Sequence, residues 1–157
     1  MRLPHPAFAF MNKLLLIAHA PLAHALRECA LHVFPDSASK VLALDVQPND
    51  TPEQTLDAAC ALVGQCGSLL VLTDLFGATP SNVAQRLVQR CAAQGSQVRE
   101  VTGVNVPMLL RVLCHAALPL QDLEQCAVAG GGQGIFAVDT ASGAPACTLM
   151  PTPRAKE

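Results

Sequence analysis

The chain has 157 residues and a formal net charge of −2, 51% of its residues are hydrophobic, and Phe is its only aromatic residue type. This length suits one domain with a substantial core, and the prevalence of Ala, Leu and Val is typical of helices packed on a parallel sheet. Because the charge is close to neutral and Trp and Tyr are absent, we expect no nucleic-acid partner.

Strand-like and helix-like segments alternate along the chain. Apolar runs predict strands at 13–18, 40–45, 68–73 and 97–102, and a last, edge strand at 135–138. Apolar residues at helical spacing and turn residues predict helices at 21–34, 52–65, 80–93, 107–117 and 120–129. The glycine run at 130–134 predicts a loop. Successive β–α units predict an α/β fold of three layers, an open, mostly parallel sheet with helices on both faces.

Two of the predicted helices begin with recognisable start motifs. Thr51 is predicted to be an N-cap, with Pro52 at the first helical position and Gln54 completing a capping box. Thr79 is predicted to cap the helix at 80–93, because Pro80 suits the first helical position.

The ordered domain is predicted to span residues 11–140. We expect residues 1–10 to form a flexible extension and residues 141–157, rich in Ala, Pro and Thr, to form a loose tail. The N-terminal region loosely resembles a secretory signal, but Lys13 and His19 interrupt its apolar part, and no apolar run is long enough to cross a bilayer. We therefore expect a cytoplasmic protein.

Seven cysteines raise the question of a disulfide framework or a metal site. Their number is odd and no two have the C-x-x-C spacing. Most lie in apolar, helical-looking stretches, where Cys serves as a small buried hydrophobe. We expect structural thiols in a reducing compartment and no metal, with a redox or metal role as the alternative.

The strongest candidates for chemistry follow two predicted strands. His19 ends the first strand and Asp74 ends the third, and each stands just before a helix. Ligands bind at the carboxyl ends of strands in open α/β sheets, so we expect both side chains at one rim. A carboxylate on one ring nitrogen would fix the tautomer of His19 and leave the other nitrogen to accept a phosphoryl group. The alternatives are a histidine that packs at a strand end and an ordinary turn carboxylate.

The turn after Asp74 is a candidate phosphoryl-binding site. The backbone N–H groups of Gly77, Ala78 and Thr79 open a helix, where unpaired donors and positive partial charge attract anions. An ordinary helix start is the alternative. His24 lies five residues beyond His19, and we expect no chemical role for it.

Three sequence blocks resemble the mannose-type EIIA component of the bacterial phosphoenolpyruvate:sugar phosphotransferase system. They are His19 at a strand end, the block Asp-Leu-Phe-Gly-Ala-Thr-Pro-Ser-Asn at 74–82, and the block Gly-Val-Asn-Val-Pro-Met-Leu at 103–109. The likeness covers about residues 11–138 in order. It implies an open, mostly parallel α/β sheet, and a homodimer that often exchanges its C-terminal edge strand.

The resemblance also implies a phosphotransferase component without a cofactor. His19 would take a phosphoryl group from phosphohistidine on HPr and pass it to an EIIB protein, whose receiving residue in the mannose type is a histidine. Asp74 would orient His19, and Thr79 stands where the family usually has Ser. The family also implies sugar uptake or its regulation, with peripheral association of the carrier with a membrane permease.

The chain departs from the family pattern at three positions. It has Ala20 where Gly usually follows the histidine, Ala78 in place of the second Gly of a pair, and Ser81 where Phe is usual. None of these changes removes a reacting group. The alternatives are the phosphotransfer subunit of a dihydroxyacetone kinase and a regulatory protein-binding module. A flavodoxin-like flavin protein is disfavoured, because no Trp or Tyr is present to stack on the ring.

Overall fold

A computed structural model describes residues 12–138 and contains one sheet of four parallel strands. The strands are β1 (Lys13–His19), β2 (Val41–Val46), β3 (Ser68–Thr73) and β4 (Gln97–Thr102). The helices are α1 (Leu22–Val33), α2 (Pro52–Val63), α3 (Thr79–Ala93), α4 (Val106–Cys114) and α5 (Leu120–Gln133), with a 3₁₀ turn at Pro35–Ser37. The predicted extension at 1–10, the predicted tail at 141–157 and Cys147 lie outside the described residues.

The two central strands are buried on both faces. Leu14 and Leu16 of β1 pack against α1, α4 and α5, whereas Leu15 and Ile17 pack against α2 and α3. A strand covered on both faces requires the continuous apolar run that the sequence supplies here. The predicted three-layer α/β fold with a parallel sheet is therefore confirmed. No helix within residues 12–138 is long and apolar enough to span a membrane.

The strand order is β2-β1-β3-β4, so the chain reverses direction across the sheet after β2. It runs from β1 to the edge strand β2, then returns to pair β3 with the other side of β1. The carboxyl ends of β1 and β3 consequently lie side by side where the order reverses, which is the usual ligand position in such sheets.

Local sequence explains the starts of α2 and α4. The predicted capping box is present: Thr51 Oγ1 accepts a hydrogen bond from Gln54 N–H at 3.2 Å, and Gln54 Oε1 accepts one from Thr51 N–H at 2.9 Å. Asn105 caps α4 by accepting from Met108 N–H at 2.9 Å, and its amide donates to Gly131 O of α5 at 3.1 Å. The block at 103–109 therefore joins α4 to α5.

The prediction of a loop at 130–134 is wrong, because α5 continues to Gln133. A Cβ added at Gly130 would lie 2.7 Å from Arg111 Cβ, and one at Gly131 would lie 2.7 Å from Met108 Cε. The glycines thus let α5 approach α4 more closely than any side chain would allow. This contact outweighs the low intrinsic helix propensity of Gly.

Alanine substitutions at two neighbouring glycines test this packing. We expect Gly130→Ala to lower the free energy of unfolding by about 1–3 kcal/mol, because the added methyl group overlaps Arg111. Gly132 meets no atom within 4 Å, so Gly132→Ala should raise it by about 0.5–1 kcal/mol through helix propensity alone. Urea unfolding measures both, and equal changes at the two positions would contradict the packing explanation.

The predicted edge strand at 135–138 is also wrong for the single chain. These residues follow Gly134 in irregular backbone and join no strand of the described sheet. The side chains of Ile135, Phe136 and Val138 are mostly exposed, so the segment buries no face against the domain, as an edge strand would. Exchange of this segment between two copies stays a prediction.

Candidate functional site

His19 and Asp74 are in direct contact at the carboxyl ends of β1 and β3. His19 Nδ1 lies 2.7 Å from Asp74 Oδ2, which also accepts a hydrogen bond from His19 N–H at 2.9 Å. Leu75 N–H donates to Asp74 Oδ1 at 2.9 Å. Both carboxylate oxygens are thus engaged, and Asp74 is held against the imidazole.

The charge state of Asp74 fixes the tautomer of the imidazole. Burial raises the pKa of Asp74, but the hydrogen bonds from His19 N–H, the His19 ring and Leu75 N–H together lower this pKa below its usual range. An ionised carboxylate only accepts hydrogen bonds, so Nδ1 must carry the proton. In the neutral ring Nε2 then holds a lone pair, and the side chain of His19 is 55% exposed.

Helix α3 begins at Thr79, with Ala78 as its N-cap residue, so the prediction that Thr79 is the N-cap is wrong. Ala78 has an extended backbone (φ −83°, ψ 171°) and offers no side-chain cap. Gly77 has φ +80°, a left-handed conformation that favours glycine and that turns the chain into the helix. Thr79 is therefore the first residue of the helix, one position after the N-cap, and Pro80 is the second.

The three predicted phosphoryl-binding N–H groups differ in availability. Ala78 N–H donates to Leu75 O at 3.3 Å, which closes the turn. Within residues 12–138, Gly77 N–H and Thr79 N–H make no hydrogen bond. These two donors, together with the positive end of α3, therefore remain free for an anion.

A cleft of about 300 Å³ brings His19 and Thr79 together. Its remaining lining comes from the turn after β1 and from the loop between β2 and α2: Ala20, Val46, Gln47, Pro48 and Asp50. Sequence reasoning missed this second loop. The turn residues that directly follow the strand at 40–45 could have indicated it, since that strand ends at the same rim.

A second histidine–carboxylate contact lies outside the cleft. His24 Nδ1 is 2.7 Å from Asp45 Oδ2, and Asp45 Oδ1 accepts from Ala23 N–H at 2.9 Å and His24 N–H at 3.2 Å. Asp45 stands at the end of β2, beside Ala18 of β1. His24 and Asp45 are twenty-one positions apart in the sequence, and neither lines the cleft that holds His19.

The described cysteines form no disulfide. Six free thiols are present: Cys29, Cys60, Cys66, Cys91, Cys114 and Cys126. Cys91 is a core residue, and burial raises the pKa of its thiol, as do the nearby Cys66 and Cys60. Over the part of the chain that the structure describes, no cluster of three or more His, Cys, Asp or Glu side chains has an arrangement suited to a metal ion.

Comparisons with known proteins agree on one family. The model of the EIIA-man family, described as the PTS system fructose IIA component, matches residues 13–127. The sorbose-specific EIIA component of Lacticaseibacillus casei is 29% identical over 106 residues, which cover 66% of this chain and 73% of that protein.

Solved structures support the fold. EIIA from Streptococcus agalactiae superposes with a TM-score of 0.73 at 22% identity, covering 81% of this chain and 97% of that one. A mannose/sorbose-specific IIA subunit from Enterococcus faecalis gives a TM-score of 0.69 at 23% identity, covering 82% and 95%. At such low identity these likenesses concern the α/β architecture alone.

Proposed function

This chain belongs to the EIIA-man family of phosphotransferase system components, and we propose that it carries a phosphoryl group on Nε2 of His19. The observation that carries the proposal is the 2.7 Å contact between His19 Nδ1 and Asp74. It leaves Nε2 without a proton, on a side chain that is 55% exposed and that lines one cleft with Thr79 at the start of α3. This is the combination that a phosphoryl acceptor needs.

The proposed reaction transfers the phosphoryl group between two histidines. The lone pair of His19 Nε2 attacks phosphorus on the donor's phosphohistidine, and the donor's P–N bond breaks with its electron pair returning to the donor ring. The attacking ring gains positive charge, which the Asp74 carboxylate stabilises through Nδ1–H. The transferred oxygens face the free N–H groups of Gly77 and Thr79 at the start of α3.

The surface around His19 suits protein partners. Leu75 and Phe76 lie directly after Asp74 and are 61% and 71% exposed, which gives an apolar contact beside an accessible imidazole. We propose phospho-HPr as the donor and an EIIB component as the acceptor. The carrier would act in the cytoplasm as a homodimer, at most peripherally associated with a permease.

The names of the relatives favour a role in sugar uptake or its regulation. The L. casei relative is named for sorbose, and the E. faecalis structure for mannose and sorbose. We propose a sugar of the mannose, fructose or sorbose type as the final phosphoryl acceptor in this system.

Intact-mass spectrometry tests the proposal. The full chain is incubated with phosphoenolpyruvate, enzyme I and HPr, and we expect one added phosphoryl group that mild acid removes. Acid lability distinguishes a phosphohistidine from a phosphorylated hydroxyl group. If enzyme I and HPr are active and no mass is added, the phosphocarrier function is excluded and a regulatory binding module becomes the better description.

A further inference from the structure

One carboxylate oxygen joins both ends of the loop that carries Asp74. Glu100 of β4 accepts a hydrogen bond from Thr73 Oγ1 at 3.0 Å and another from Ser81 Oγ at 2.9 Å, both at Oε1. Thr73 immediately precedes Asp74, and Ser81 is the third residue of α3. Glu100 itself lies outside the cleft and contacts neither His19 nor Asp74 by a hydrogen bond.

Both donors of this three-residue contact are fully buried. Thr73 and Ser81 have no exposed surface, so neither hydroxyl can turn to bulk water if its acceptor is removed. The carboxylate of Glu100 thus fixes the carboxyl end of β3 relative to the first turn of α3.

Between its two ends, the loop is held to the domain by the contacts of Asp74 with His19, and the hydrogen bonds within the loop are long. Asn82 Nδ2 reaches Gly77 O at a long 3.4 Å, and the Ala78 N–H bond to Leu75 O measures 3.3 Å. Leu75 and Phe76 are 61% and 71% exposed, so their side chains bury little surface against the domain. The position of Asp74 therefore depends both on its contacts with His19 and on where the two ends of the loop are held.

We propose that Glu100 is a positioning residue for phosphoryl transfer at His19. By holding Thr73 and Ser81 together, it sets the Asp74 carboxylate against Nδ1 and aims the start of α3 at the transferred group. Glu100 is the acceptor that the buried hydroxyl of Ser81 requires. The inference rests on the proposed phosphocarrier function and adds a residue outside the three recognised sequence blocks.

The test compares two substitutions of Glu100 with one of Ser81. Glu100→Gln keeps a carbonyl oxygen at the acceptor position, whereas Glu100→Val removes it and retains a residue suited to a strand. We expect Glu100→Val to lower the maximal rate of His19 phosphorylation about 10- to 100-fold, since small misplacements of reacting groups cost that much. The HPr concentration for half-maximal rate should change less than the maximal rate, because the substitution alters no exposed partner-contact residue and shifts Leu75 and Phe76 only through the loop that carries them.

The rates of the three variants show whether Glu100 positions the loop. Glu100→Gln should retain the wild-type rate within a few fold, and Ser81→Ala, which cuts one of the two connections, should give an intermediate rate. An unchanged rate in Glu100→Val, an equal loss in Glu100→Gln, or a change confined to the half-maximal HPr concentration would overturn the positioning role. If Glu100→Val does not fold, an unchanged rate in Ser81→Ala overturns it instead. Failure of the wild-type chain to accept a phosphoryl group would refute the phosphocarrier function itself.

Discussion

Replacing His19 with Ala abolishes acid-labile phosphorylation, with an expected fall of at least about 10³-fold in the rate, to background. Among the described residues that line the cleft, His19 is the only histidine, and it shares the cleft with Thr79 at the start of α3. The fold should survive, because the His19 side chain is more than half exposed and its backbone can still donate to Asp74. Intact mass after incubation with phosphoenolpyruvate, enzyme I and HPr measures the loss, and circular dichroism checks the fold.

His24 supplies a matched control for this experiment. Its Nδ1 contacts Asp45 at the same 2.7 Å, and its side chain is 59% exposed. His24→Ala should therefore remove an equivalent imidazole and leave phosphorylation within a few fold of wild type. A His19→Ala protein that is still fully labelled would refute the assignment of His19. Loss of the label in His24→Ala alone would move the acceptor to His24.

Replacing Asp74 with Asn slows phosphoryl transfer about 10²- to 10⁴-fold, the range expected when a catalytic proton is misplaced. The Asn amide can donate to Nδ1, which the Asp carboxylate cannot do. That bond favours the tautomer with the proton on Nε2, so the nucleophilic lone pair is lost. Single-turnover transfer from phospho-HPr gives the rate, and Asp45→Asn at the second histidine is the control. Equal kinetics in Asp74→Asn and wild type would reduce Asp74 to a turn residue.

The same substitution changes the pH dependence of stability. The pKa of Asp74 is lowered in the folded chain, so its carboxylate stabilises the fold above the unfolded pKa of about 4. This contribution is lost as the pH falls through the lowered, folded pKa. As the pH falls from about 5 to about 2, we therefore expect the free energy of unfolding to decrease less in Asp74→Asn than in wild type. Urea unfolding across this pH range measures the free energy of unfolding of both proteins. Parallel pH curves for wild type and Asp74→Asn would show that the contacts of Asp74 do not stabilise its charged form in the folded chain.

The contact between His19 and Asp74 could be predicted because it depends on local patterns and one topological rule. Two continuous apolar runs predict central strands, and parallel strands place their carboxyl ends at the same rim. The tautomer of His19 could be predicted from the two residue types alone, because a carboxylate beside one ring nitrogen keeps the proton there. The β2–α2 loop that completes the cleft was harder to foresee, since the sequence does not state which strand pairs with the other side of β1.

The wrong predictions concern residues whose role depends on side chains that are close in space but distant in the sequence. Gly130 and Gly131 look like loop residues until Arg111 and Met108 of α4 lie against them. The contact between Glu100 and Ser81 could not be predicted from the sequence either, because it links an edge strand to the first turn of a helix. Local propensity describes such residues correctly, but tertiary packing overrides it.

The capping of α1 by Asp45 has a consequence for the stoichiometry of labelling. A phosphoryl group on His24 would sit beside a carboxylate that already occupies the N–H groups at the start of that helix. The lack of free donors would make His24 a poor site for a phosphoryl group. At the start of α3, by contrast, Gly77 N–H and Thr79 N–H have no acceptor among residues 12–138. We therefore expect one phosphoryl group per chain, on His19 and not on His24, because the N–H groups beside His24 are already occupied by Asp45.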